Sequence, residues 1–344
     1  AEAGESKNWT PDGKGIAGLF GLNEQGNADN VIVDLATGEV TRLNGNLDYD
    51  EDMDLSPNQE WMAVGSLRGF DGLTPYSRIA RPATLPTYIQ GPVYYQYAIP
   101  INISNQAWLV RVEDDLQREN GIPLFVQGDG LPGEPDGDDW TARSMPGFNA
   151  DGTAVTFWEY NIDDPVNTEA RLVIAKLKYT TSVGTIDDRT TPELSDSFPL
   201  LSTYTLKAPV LPAAGTTLAG PGGGSLTIAE VPDTDRGAGW TLRTTTYNNY
   251  VNEDGLVLNG YESTSSQANL YTVHYKGNIQ VTDAVTGEDR GYLKGDATIN
   301  TLQQTITPKM VDENGVPRSI TSSLDGDVLH LMDPAKYELQ LAEQ

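Results

Sequence analysis

The sequence has no cysteine and only two histidines, His274 and His330, in 344 residues. Without cysteine there is no disulfide, no thiolate metal centre, no cysteine nucleophile and no covalent haem attachment through sulfur. Both histidines sit in strand-like runs, residues 270–275 and 328–331, where a lone imidazole reads as a packing or surface residue. No apolar run approaches the ~18 residues that a membrane-spanning helix needs. Catalytic fingerprints are missing as well: no Gly-x-Ser-x-Gly elbow, no His-Glu-x-x-His, no phosphate loop and no dinucleotide-binding pattern. Lysine is scarce, at nine residues. Lys plus Arg number 22 against 49 for Asp plus Glu, a formal net charge of −27. That balance argues against binding nucleic acid phosphates or an anionic membrane surface by charge attraction.

What remains is a chain long enough for one large or two ordinary domains, acidic throughout and rich in Gly, Pro, Thr, Asn and Tyr. This composition is that of secreted β proteins and predicts an extracellular or periplasmic location. The opening residues carry no signal-peptide features and read as a processed or truncated start.

One stretch returns three times. The first copy is Trp9-Thr10-Pro11-Asp12-Gly13-Lys14-Gly15-Ile16-Ala17-Gly18-Leu19-Phe20, the second Leu55-Ser56-Pro57-Asn58-Gln59-Glu60-Trp61-Met62-Ala63-Val64-Gly65-Ser66, the third Phe148-Asn149-Ala150-Asp151-Gly152-Thr153-Ala154-Val155-Thr156-Phe157. Each reads as a turn followed by a strand: Asp or Asn bonds to the turn backbone, Gly supplies a positive φ, and an apolar run follows. The second copy has Asn58-Gln59 in place of Asp-Gly, which weakens its turn signal. Downstream strands accompany all three, at residues 30–35, 107–112 and 170–177, the first leading into the turn Asp34-Leu35-Ala36-Thr37-Gly38.

This pattern resembles the PD40 repeat of TolB-type β-propellers over roughly residues 9–180. The resemblance implies an all-β fold, with TolB-like blades over residues 1–207 and a long insertion at about 67–100 in the second blade. It also implies that Asp52 or Asp54 caps a strand entry. A change of composition at residues 208–224 reads as a linker. Beyond it, residues 225–344 show a dense series of short-turned strands, expected as a β-sandwich-like or strongly curved antiparallel domain. Faint echoes of the repeat turns, at residues 252–258 and 282–288, leave open that this half holds further blades.

Two candidate sites follow from residue type. Asp48, Asp50, Asp52 and Asp54 alternate along an extended segment and would converge hard oxygen ligands for Ca²⁺; Asp136, Asp138 and Asp139 are a second such set, and neither matches an EF-hand loop. Structural capping is the competing role for the first set. In the insertion, Tyr88, Tyr94, Tyr95 and Tyr97 gather around Gly91-Pro92, a composition suited to a protein or glycan contact or to packing over the propeller edge. The sequence thus points to a non-enzymatic binding or assembly protein that docks on another chain, because three blades leave a sheet face without its neighbour. The alternative is a carbohydrate-active enzyme working through paired carboxylates.

Overall fold

The computed structural model describes residues 5–101, 103, 105–124, 140–143, 145–161, 169–178, 190–196, 198, 202, 211–333 and 335. Antiparallel strands dominate. The first sheet is an antiparallel meander of β1 (Glu5–Trp9), β2 (Gly15–Glu24), β3 (Asn27–Asp34) and β4 (Val40–Arg42). The second repeats this plan with β5 (Asp50–Leu55), β6 (Trp61–Ser66), β7 (Gln106–Arg111) and β8 (Ile122–Pro123). In the third, β9 (Trp140–Ala142) and β10 (Gly147–Phe148) share the inner side of β11 (Ala154–Asn161), and β12 (Ala170–Lys176) lies on its other side.

Alternate residues stack these sheets in chain order, since successive side chains of a strand face opposite ways. Ala17, Ile32 and Leu43 of the first pack with Met62, Val64, Trp108 and Val110 of the second. The other face of the second sheet meets the third: Ala63 and Leu109 pack with Val155, and Ala107 with Phe157 and Val173.

Nine of the remaining strands form one sheet. It contains β13 (Thr217–Ala219), β14 (Ser225–Pro232), β15 (Trp240–Val251), β16 (Leu256–Gln267), β17 (Thr272–Asp283) and β18 (Asp289–Asn300) in sequence order, then β22 (Ile320–Leu324) and β23 (Asp327–His330), with β19 (Thr305–Pro308) also on β18. A separate two-stranded ribbon joins β20 (Met310–Val311) to β21 (Pro317–Arg318). β15 to β18 are 12 residues each, and in β17 the odd positions Val273, Tyr275, Gly277, Ile279 and Val281 are buried. Glycine is required where the Tyr275 ring crosses the sheet: a Cβ on Gly295 would stand 2.4 Å from that ring.

The layer that covers this sheet is the insertion from the second sheet rather than a second sheet. Leu67, Leu73, Tyr76, Ile79, Leu85, Ile89, Val93, Ala98 and Ile103 share one core with Leu226, Tyr247, Leu258, Val273, Ile279, Leu293 and Ile299. Three arginines fix it at both ends. Arg81 and Glu262, both fully buried, form a two-pronged pair at 2.7 and 2.8 Å, and Tyr247 and Tyr275 donate their hydroxyls to the same carboxylate. Burial opposes ionisation of Glu262, yet the Arg81 charge and these hydrogen bonds hold its carboxyl below the usual range. Arg78 donates to Ser322 and Asp327 of the nine-stranded sheet, while Arg68 turns back to Asp50 and Asp115 beside the second sheet.

The turn echoes in this half are hairpin turns of the nine-stranded sheet. Asp283 accepts from the N–H groups of Val285 and Thr286, and Gly287 N–H donates to Asp283 O, as Asp34 does with Ala36, Thr37 and Gly38. The further blades left open for residues 225–344 are therefore not formed among the described residues.

Candidate interaction sites

The three repeat turns close on one hydrogen-bond scheme. Gly15 N–H donates to Thr10 Oγ1, Trp61 N–H to Ser56 Oγ and Ala154 N–H to Asn149 Oδ1, at 2.8, 3.0 and 2.9 Å. The left-handed position is Gly13 (φ 73), Gln59 (φ 60) and Gly152 (φ 74), so the second copy makes the same turn without glycine. The turns line a pocket of about 450 Å³, walled by Trp9, Pro11, Leu55, Pro57, Phe148 and Ala150. Among the described residues Asp54 is the one acid lining it, and its carboxylate links all three sheets by accepting from Asn8 Nδ2 (2.7 Å), Leu55 N–H (3.0 Å) and Phe148 N–H (2.8 Å). Burial raises the Asp54 pKa, and the two backbone N–H groups and Asn8 oppose it.

The four alternating aspartates are not brought together. Pairing in the second sheet shifts between Asp50↔Ser66 and Met53↔Val64, a bulge that turns Asp50 to the face opposite Asp54. Asp48, buried, accepts from the N–H groups of Asp71, Leu73 and Thr74 at 3.1, 2.8 and 3.3 Å, fixing the start of the insertion. Its burial pushes the carboxyl up to about 7, against the pull of the Leu73 N–H. Asp50 pairs with Arg68, and Asp52 lies 3.1 Å from Lys7 Nζ. Among the described residues, no three His, Cys, Asp or Glu gather as a metal-binding group. Asp136, Asp138 and Asp139 lie outside the described residues.

The tyrosines divide in the same way. Tyr97 is 4% exposed, packs 5.4 Å from the Phe70 ring and donates to Asp333 O. Tyr94 is half-buried between Tyr49 and Tyr95, and Tyr88 is half-buried at φ 48. Tyr95, at 58% exposure, is the ring of the four turned most to solvent. His274 and His330 each bond a threonine through Nδ1, Thr298 at 3.0 Å and Thr321 at 2.8 Å.

A surface that the sequence did not single out lies on the third sheet. Aligning the sheets by their shared turn bonds places Thr156, Trp158, Leu172 and Ile174 where the second sheet has Ala63, Gly65, Ala107 and Leu109. Those second-sheet positions include the contacts to the following sheet; their counterparts Trp158, Leu172 and Ile174 are 36%, 70% and 57% exposed. The signal was available as the alternation Arg171-Leu172-Val173-Ile174, in which both faces of the strand are apolar.

No family model matches the sequence, and comparison with the curated proteins found no significant match. Solved structures that it resembles include TolB from Acinetobacter baumannii (12% identity, TM-score 0.24, covering 94% of this chain and 57% of that one). An oligogalacturonate lyase in complex with manganese (11%, 0.28, 88% and 75%) and dihydro-heme d1 dehydrogenase NirN in complex with DHE (12%, 0.22, 94% and 68%) also align. The chain thus spans just over half the length of the first of these. Scores this low carry no argument about function, which rests on the surfaces above.

Proposed function

We propose that this chain is a non-enzymatic binding and assembly module of an extracytoplasmic compartment, which docks on another polypeptide through the open face of its third sheet. The observation that carries this is the repeat-equivalent position of Trp158, Leu172 and Ile174: an apolar row stands where the preceding sheet receives its neighbour. Contiguous exposed apolar surface on a chain this charged marks a contact. The competing carbohydrate-active reading needs two carboxylates around one substrate; among the described residues Asp54 is the acid of the pocket between the turns, and the pockets lined by Asp312 with Glu313 and by Glu24 with Glu253 are where that reading would place its pair. No helix among the described residues is long and apolar enough to cross a membrane.

Because the chain has no cysteine, Leu172→Cys creates its single thiol. Labelling of that thiol in the native assembly is expected to be at least tenfold slower than in the purified chain, and equal rates would overturn the reading. Calcium belongs to the same proposal only where ligands are available. At Asp48 to Asp54 it must displace Arg68, Lys7 and Asn8 from their carboxylates. Melting temperature with millimolar calcium against chelator tests both this set and Asp136, Asp138 and Asp139, since an ion held by the native state alone raises it.

A further inference from the structure

The outer face of the nine-stranded sheet, opposite the insertion, carries a row of polar side chains. In β17 the odd positions are buried toward the insertion, so the even positions face outward. Register then sets Tyr261, Asn278, Lys294, Thr321 and His330 opposite one another on β16, β17, β18, β22 and β23. At the usual strand spacing of ~4.8 Å, the row is roughly 19 Å long. The β20–β21 ribbon faces its far end. Between ribbon and sheet lies a cleft of about 510 Å³, lined by Tyr292, Lys294, Thr321 and His330 on one side and by Met310, Glu313 and Asn314 on the other. Among the described residues, the Tyr261 hydroxyl, the Asn278 amide, the Lys294 ammonium and the Glu313 carboxylate have no hydrogen bond or ion pair. Lys294 Nζ stands 4.6 Å from the centre of the Tyr292 ring, a cation–π contact that fixes it beside the cleft. His330 bonds Thr321 Oγ1 through Nδ1, which leaves Nε2 for a ligand. Burial, followed by the Arg318 charge, holds this imidazole below its usual value, so it is neutral at pH 7.

We propose that this row and cleft bind an extended, uncharged saccharide chain laid across the strands. This binding is separate from the docking face of the third sheet and does not rest on it. The free charges of the cleft, Lys294 and Glu313, balance, and Arg318 is held by Asp312 and Asp333 at 2.9 and 2.8 Å. In a chain of net charge −27 such a site does not attract polyanions. An extended peptide would take its bonds from a strand edge and run along the strands, whereas this row offers side chains alone, at right angles to them. Hydroxyl, amide, ammonium, imidazole and carboxylate groups instead match the dense donors and acceptors of sugar hydroxyls. The strand spacing is close to the length of one pyranose unit in an extended chain, so successive units meet successive residues of the row. Tyr261, 41% exposed at the open end, offers its ring to the apolar face of a sugar. Binding without cleavage follows from Asp312. Its Oδ1 accepts from the Asn314 and Val316 N–H groups and its Oδ2 from Arg318, and the Val316 bond foremost holds the carboxyl below its usual range. It is therefore not free to act on a bound chain.

The two histidines make the test direct, because each gives its own imidazole signals in two-dimensional NMR. His274 lies on the same face but off the row, bonded to Thr298 and 5.3 Å from the Trp240 ring, and serves as the internal control. The probes are cellohexaose, mannohexaose and xylohexaose. At least one, at millimolar concentration, is expected to shift the His330 signals of the full chain and leave those of His274 in place. Tyr261→Ala and Lys294→Ala, both at exposed positions, are each expected to weaken that binding about tenfold, the loss of one contact, with unchanged circular dichroism. A glucuronate hexasaccharide is expected to bind more weakly, and no probe is expected to be shortened. The proposal is overturned if no neutral probe moves His330, if both histidines move alike, or if both folded variants bind like wild type. Tighter binding of the glucuronate chain would overturn the uncharged ligand, and shortened products would overturn binding without cleavage. None of these outcomes touches the labelling of Leu172→Cys, which tests the third sheet alone.

Discussion

The two halves of the molecule use the same turns to build different objects. Asp34 to Gly38 and Asp283 to Gly287 have the same side-chain and backbone bonds and nearly the same glycine φ, 75 and 72. In the first half the strands around such turns are 3 to 8 residues long and the sheets lie face to face. In the second, the strands are 12 residues long and one sheet closes over a segment from far earlier in the chain. Turn chemistry therefore sets the hairpin, while strand length and the available apolar partner decide how the sheet is covered.

The sharpest way to break the comparison is to remove what only the second half depends on. Arg81→Met leaves Glu262 as an uncompensated buried charge and is expected to cost about 3–5 kcal/mol. Urea unfolding followed by tyrosine signals should show the loss, and the double variant Arg81→Met/Glu262→Gln should recover part of it by removing both charges while keeping an amide oxygen to accept from one of the Tyr247 and Tyr275 hydroxyls and an amide N–H to donate to the other. An equal loss on Met62→Ala in the stacked sheets, without loss on Arg81→Met, would mean that the insertion is not the cover of the nine-stranded sheet.

Next in size is the joint between the halves. Asp48 holds the first residues of the insertion, and burial raises its carboxyl to about 7. A carboxyl whose folded value exceeds its unfolded value of about 4 binds its proton more tightly in the native state, so its contribution is full below pH ~4 and is lost as pH rises toward 7. Asp48→Asn removes this dependence and keeps an oxygen for the Leu73 and Thr74 N–H groups. Its stability relative to wild type should therefore rise between pH 4 and 7, by a few kcal/mol at most; a difference that stays flat with pH would show that Asp48 is not the titrating group.

Much of the first half was legible because its signals are local. Pro, Asp, Asn and Gly at fixed offsets announced three turns, and Val, Ile and Leu runs announced their strands. The strands of the second half were legible for the same reason, β14 almost to the residue. The role of residues 67–103 was not. Their core partners lie some 150 to 250 positions away, and short helical turns at Thr74–Ser77 and Gln90–Pro92 give no period to read. The aspartates divide between the two faces for a local reason: strict alternation is undone by one bulge, which depends on pairing with β6 rather than on the acidic run itself. Arg68, Arg78 and Arg81 were visible as residues but not as clamps, since Arg78 and Arg81 find their acids across the chain, at Asp327 and Glu262, and Arg68 joins Asp50 and Asp115 from separate elements.

Smaller effects sharpen the comparison at the turns themselves. Gly38→Ala and Gly287→Ala place a Cβ on a left-handed residue in the two halves, and each is expected to cost about 1–2 kcal/mol. If the turn is an autonomous unit, the two costs agree; a much larger cost at one site would show tertiary strain acting through it. Denaturant midpoints read both.

The smallest expected change is at the second turn. Gln59 holds φ 60 at the position that glycine fills in the first and third repeats, and its turn is otherwise closed by the same bonds, Gln59 N–H to Ser56 O and Trp61 N–H to Ser56 Oγ. The left-handed region costs a side chain roughly 1 kcal/mol relative to glycine, and the greater freedom of glycine in the unfolded chain offsets part of this. Gln59→Gly relieves this strain and removes the side-chain hydrogen bond of Gln59 to Asp12, so its stability change is expected to stay within about 0.5 kcal/mol of zero, while Gln59→Val, which adds β-branching at the same φ, should destabilise the protein by more than that. A clear loss of stability on Gln59→Gly would mean that the bond to Asp12, which ties the second turn to the first, is worth more than the backbone strain, and that the second turn is a specialised version of the repeat rather than a worn copy.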